Sequence, residues 1–375
     1  MKPSLLILSF SPIASDARLL KQIDGLADRF ALTTLGYGPQ PAGVDRHIQL
    51  PDDRVYWRYD RLAVVLRQYR RAYWKNPAVA FTAEVLAGDT FDVILANDID
   101  TVGVALLLRP RLGVHADLHE YSPRQKEDMP RWRMFVAPFV RWMCRRFLPE
   151  VRSVTTVGAG IAREYERRFG VAASVVTNSA PYADLKPTPV STPIRIVHSG
   201  ACLPERGIDQ IIDAARRTKT DVSLDLYLMP NDPAYLERLR TETADESRIA
   251  IHDAVPYGEL IATLNAYDVG VHVLPPVNFN NAWALPNKFF DYIQARLGVV
   301  IGPSPEMRTV VEERGVGAVA LGFTADDLVR VFDALSVDTV VGWKAASATA
   351  ALDLSASAQI EVWRRELDAI LARDA

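Results

Sequence analysis

The stretch from Val269 to Pro303 constrains this chain more than any other. Val269 to Leu274 is an apolar run closed by Pro275 and Pro276, and an Asn-rich loop follows. Phe289, Phe290, Ile293 and Leu297 then recur at helical spacing before a second apolar run, Val299 to Ile301. Apolar runs flanking an amphipathic helix are the pattern of a parallel sheet covered on both faces. Pro286 suits the first helical position, where its missing N–H has no partner to lose, and Gly298 is expected to close the helix. A helix starting at the carboxyl edge of such a sheet points unpaired N–H groups and a positive dipole end into the crevice. Lys288 in the first turn opposes that dipole, so its presence makes sense beside a bound anion. Asp291, one turn on, shares a face with Asn287 and suits a pair of sugar hydroxyls.

The same alternation runs through the rest of the chain. Leu5 to Phe10 reads as a strand, Ser15 or Asp16 as the cap of a helix carrying Leu19, Leu20, Ile23 and Leu26, and Phe30 to Leu35 as the next strand. Further strands are expected over Phe91 to Asp98, ending near Ala116 to His119, over Val154 to Val157, Ile194 to Gly200, Ser223 to Met229 and Arg248 to His252. Residues 181–193 hold Pro181, Pro187, Pro189 and Pro193 with little apolar content, which is a linker by composition. Two doubly wound α/β domains of the Rossmann-like type are therefore expected, residues 1–180 and 194–356. The opening unit lacks a Gly-x-Gly-x-x-Gly fingerprint, which argues against dinucleotide binding there.

Ala284-Leu285-Pro286-Asn287-Lys288-Phe289-Phe290-Asp291, followed by Gly298 to Gly302 and Pro305-Glu306, resembles the donor signature of retaining glycosyltransferases of the GT-B fold, family 4. The resemblance implies two domains facing across a cleft, with the last helix, 357–375, crossing back onto the first. It implies that Ala284 to Lys288 and Gly200 hold a nucleoside diphosphate, that Asp291 binds the ribose, and that Val255 and Pro256 cup the base. Arg206 would grip the diphosphate. The family's further arginine is Ala201 here, and its second acidic residue near the sugar is Trp283. His119, in Asp117-Leu118-His119-Glu120, would face the reacting sugar, with Ser11, Asp16, Arg18 and Glu120 on the acceptor side. The donor implied is UDP- or GDP-linked and the acceptor a glycan or a lipid-linked precursor. No further cofactor and no metal are implied, and no carboxylate cluster suggests one. A sugar-nucleotide 2-epimerase of the same fold and a non-catalytic binding protein are the competing readings.

Charge and composition bound the partners. Residues 1–180 carry 25 Lys and Arg against 19 Asp and Glu, whereas residues 181–375 carry 18 against 27, so the first half is suited to an anionic partner. Arginines and aromatics interleave from Trp57 to Lys75 and from Trp132 to Val151. At helical spacing each stretch either lies on an anionic membrane or packs on the sheet with its charges in water. Nothing indicates nucleic-acid binding. No run approaches the length of a membrane span, and two cysteines, Cys144 and Cys202, in different domains suit a reducing cytoplasm.

Overall fold

The computed structural model describes residues 2–372. The chain divides into two compact units, one holding the chain up to Thr177 together with Asn278–Asn280 and the chain from Gln359 onward, the other holding Asn178–Val277 and Asn281–Ala358.

The first unit is built on a seven-stranded parallel sheet: β1 (Ser4–Pro12), β2 (Ala31–Tyr37), β3 (Arg46–Gln49), β4 (Val93–Asn97), β5 (Gly113–Leu118), β6 (Ser153–Thr156) and β7 (Ser174–Val175). Their order is β3-β2-β1-β4-β5-β6-β7. Leu5, Leu6, Ile7 and Leu8 are fully buried, as suits a β1 that is apolar on both faces and lies inside the sheet between β2 and β4. Leu5 pairs with Leu32 on one side and Val93 on the other. The first helix, Ala17–Leu26, is capped by Asp16, whose carboxylate accepts the N–H groups of Arg18 and Leu19. Leu367 and Ile370 of the last helix, Ala356–Leu371, join the same core.

The second unit repeats the plan with β8 (Ile194–Ala201), β9 (Val222–Met229), β10 (Ile249–Asp253), β11 (Val269–His272), β12 (Gly298–Ile301) and β13 (Gly317–Val319), in the order β10-β9-β8-β11-β12-β13 and parallel throughout. In both units the order reverses beside the first strand, between β1 and β4 and between β8 and β11. A doubly wound sheet places ligands outside the carboxyl ends of the strands at that reversal.

Several local expectations need correction. Pro286 is the residue before the helix, which runs Asn287–Gln294, and Gly298 opens β12 instead of closing that helix. Arg296 makes the turn at φ +64, and its guanidinium donates to the carbonyls of Ile293, Gln294 and Leu185. It thus satisfies helix-end acceptors that glycine would have left to water. The stretch from Trp57 to Lys75 is two short helices, Arg61–Val65 and Tyr69–Trp74, separated by Arg67 at φ +56. Trp132 to Val136 forms a π-helical turn before the α-helix Ala137–Phe147, and the extra residue per turn shifts the frame. Phe139, Val140, Met143 and Phe147 are consequently buried while Met134 is 66% exposed. No helix among the described residues is long and apolar enough to cross a membrane.

Candidate functional site

In the second unit the carboxyl ends of β8 and β11 and the start of the helix Asn287–Gln294 bring a group of cations together. Lys288 is half-buried, and its ammonium lies 3.5 Å from His198 Nε2. Burial, with the positive charge of Arg206 added, pulls the Lys288 pKa down to about 7 against the opposing pull of Asp291. His198, inside β8, and His272, the last residue of β11, are fully buried and stack 6.2 Å apart. Burial first, then the charge of Lys288, holds both imidazoles well below their usual pKa. Arg206 Nε and both ring nitrogens of His272 are buried without a hydrogen-bond partner. Buried donors are normally paired, so this unused capacity, added to a helix start that no side chain caps, describes a site prepared for an anion.

Gly200 is required at the end of β8. It sits at φ +133, and a Cβ there would lie 2.6 Å from Lys288 Nζ. Leu285 is buried and anchors the loop before the helix, Ala284 and Pro286 are half-buried, and Asn287 is exposed. Asp291 is buried, with the Tyr257 hydroxyl 3.5 Å from its Oδ1. Val255 and Pro256 immediately precede Tyr257, so the loop after β10 lies next to Asp291. Ala201 ends β8, and Trp283 is half-buried in the loop before Leu285.

In the first unit a cavity of about 450 Å³ opens at the carboxyl ends of β1 and β4. Ser11, His119 and Glu120 line it, together with Asn97, Asp98, Asp100, Lys126, Tyr56, Trp57, Tyr59 and Trp132. His119 Nε2 lies 3.0 Å from Asn97 Oδ1 and Nδ1 lies 3.4 Å from Asp98 Oδ2, while Asp98 Oδ1 accepts the His119 backbone N–H. Burial alone would depress the His119 pKa, but the Asp98 and Asp117 carboxylates outweigh it and raise it. Asp98 holds this position at φ +62, a conformation that costs a non-glycine residue on the order of 1–3 kcal/mol. Burial raises the Glu120 carboxyl pKa, with the Asp98 charge adding to it.

Asp16 and Arg18 do not line this cavity. Ser11 Oγ donates to Asp16, which is also the helix cap, and Arg18 is buried in a bidentate pair with Asp117 and a contact to the Val176 carbonyl. Asp117 also accepts from Gln22 and Thr155. Arg18 is therefore buried rather than solvated, and it bears on His119 both through its pairing with Asp117 and by its own charge, which opposes the rise of the imidazole pKa. Asn97, Asp98, Asp100, His198 and His272 escaped the sequence reading. Asn97, Asp98 and His272 are polar residues at or just after the end of an apolar strand, Asp100 lies in the first turn of the helix that follows and His198 lies inside β8, signals that acquire meaning only once the strand order locates the reversal.

No protein-family model and no curated protein matches the sequence. The chain superposes on solved structures across nearly its whole length. The α,α-trehalose 6-phosphate synthase of Burkholderia multivorans matches with a TM-score of 0.74 at 12% identity, over 100% of both chains. HepE of Anabaena, solved in complex with UDP-glucose, matches at 0.70 and 15% identity, over 98% of this chain and 100% of its own. The sucrose-phosphate synthase of Thermosynechococcus elongatus matches at 0.68 and 13%, with the same coverage. The chain has the GT-B fold. Two Rossmann-like units, one after the other, are what that fold requires, and the site residues stand where its parallel sheets reverse order. At these identities the likeness is one of architecture, and the chemistry rests on the residues.

Proposed function

We propose that this GT-B chain is a retaining glycosyltransferase of the family 4 type. It moves a hexose-type sugar from a UDP- or GDP-linked donor to a hydroxyl of a glycan, a glycolipid or a lipid-linked precursor. One observation carries the reading: Arg206 and Lys288 converge, with unfilled donors, beside an uncapped helix start in the second unit. The UDP-glucose complex of HepE, a protein of the same fold, supports a uridine donor.

In this reading the second unit, residues 194–356, binds the donor, and the first, residues 1–180 completed by the last helix, receives the acceptor. The bond from the anomeric carbon to the diphosphate breaks with its electron pair going to phosphate oxygen. The acceptor oxygen bonds to that carbon, and its proton passes to the leaving phosphate. Charge therefore grows on the diphosphate, which fixed cations and N–H groups stabilise best. Asp291 orients the ribose, the loop at Val255 and Pro256 meets the base, and His119 meets the reacting sugar. The location proposed is cytoplasmic, at the inner face of a membrane, which suits the unpaired Cys144 and Cys202.

The test is transfer from UDP-glucose and GDP-mannose to a panel of glycoside acceptors. Arg206→Ala and Lys288→Ala are each expected to lower kcat/KM by about 100-fold or more, roughly the 2.7–4 kcal/mol of one lost donor to a developing anion. Undiminished transfer in both variants would remove the proposal.

A further inference from the structure

Beside the first unit's cavity lies a trough of about 830 Å³. The two share a wall made of Trp57, Tyr59, Trp132 and Val136. Their charges are opposite. Asp98, Asp100 and Glu120 face the cavity against Lys126 and His119, whose imidazole already lies beside Asp98. Arg58, Arg61 and Arg131 line the trough with Val64, Val65 and Phe135, and no acidic side chain does. Trp57 is 62% exposed and Val65 50%, so the trough also presents apolar surface to solvent.

Resting on the reading that the first unit receives the acceptor, we propose that the acceptor is bipartite, with an uncharged sugar in the cavity and a phosphate-linked lipid tail in the trough. The cavity suits the sugar because ring faces pack against its carbon framework while carboxylates and amides accept its hydroxyl protons. A phosphate on that sugar would meet three carboxylates against Lys126 and His119, the latter already beside Asp98, in a partly desolvated space where like charges repel strongly. In the trough guanidinium groups match phosphate geometry, and the exposed aromatic and valine side chains cover a hydrocarbon chain. Neither compartment accounts for the other, whereas one ligand running along the shared aromatic wall accounts for both.

The experiment measures binding to the full chain without nucleotide, so a failure of sugar transfer leaves its outcome standing. Octyl glycosides of glucose, mannose and galactose are compared with the three hexose 6-phosphates by saturation-transfer NMR and calorimetry, and farnesyl phosphate serves as the probe of the trough. At least one octyl glycoside is expected to bind tenfold or more tightly than its hexose 6-phosphate, and farnesyl phosphate is expected to compete with it. The double variant Arg58→Ala/Arg61→Ala, on exposed positions where folding is not at stake, is expected to weaken farnesyl phosphate at least tenfold. Hexose 6-phosphates binding as tightly as the octyl glycosides would overturn the proposal. Farnesyl phosphate binding equally to wild type and double variant would do the same.

Discussion

Lys288 is a cation in a place that disfavours charge, and this has a measurable consequence for ligand binding. At pH 6 its ammonium is already charged, whereas at pH 8 a pKa of about 7 leaves the free protein's amine largely neutral. A bound diphosphate restores the charge, so UDP binding is expected to take up close to one proton at pH 8 and little at pH 6. Calorimetry in buffers of different ionisation enthalpy reads this directly, and Lys288→Met should abolish it. Asp100 carries the opposite charge and the opposite sign. Burial raises its pKa to about 6, with Asp98 adding and the Tyr59 hydrogen bond opposing. Its folded value thus lies above its unfolded one, so its contribution to stability is complete at low pH and is lost as pH rises through about 6. Asp100→Asn, which keeps an acceptor for the Tyr59 hydroxyl, should therefore stabilise by about 1–2 kcal/mol at pH 8 and by almost nothing at pH 4 in urea titrations. Arg206 and Lys288 were legible in the sequence because cations before and after glycine and proline turns are conspicuous. The buried His198 and His272 were not, since a histidine in an apolar strand looks the same whether it lies under a ligand site or in a core.

Among the elements, the helix Asn287–Gln294 was legible because its apolar spacing and its proline agree with each other. Its end was misjudged because a long-range contact, the Arg296 guanidinium, replaced the expected glycine. The same lesson holds for Trp132 to Val136, where an added residue in one turn re-aims Met134 and Phe135 and is invisible to a 3.6-residue period. The last helix shows how much one element contributes. Trp363 is 1% exposed beneath the Arg18 guanidinium, Ile360 packs on Gly25, and Leu367 and Ile370 lie in the β1 core. Burying the large apolar side chains of Trp363, Leu367 and Ile370 is worth about 1.5–3 kcal/mol each. A chain ending at Ala358 should therefore lose the first unit's cooperative unfolding transition. In calorimetry UDP should still raise the midpoint of the second unit alone.

At the scale of the molecule, both sheets and their parallel order followed from apolar runs alternating with amphipathic helices, a pattern set by burial on two faces. The positions of the cavities did not, because they depend on where strand order reverses, and no local pattern encodes that. The excess of Lys and Arg in residues 1–180 bears on the proposed membrane contact. Each basic group near an anionic surface contributes about 1 kcal/mol, and the effect is screened by salt. The protein should sediment with phosphatidylglycerol vesicles at 20 mM salt and be released by 500 mM. Binding unchanged by Arg58→Ala/Arg61→Ala would place the contact elsewhere. The first unit is assembled from three separate stretches of chain, the last beginning at Gln359. On the ribosome, then, the half made first is the half finished last. Its sheet must wait for nearly 200 further residues, on the order of 10–40 s at ordinary rates of synthesis, with the bed of Trp363 open to chaperones until the closing helix arrives.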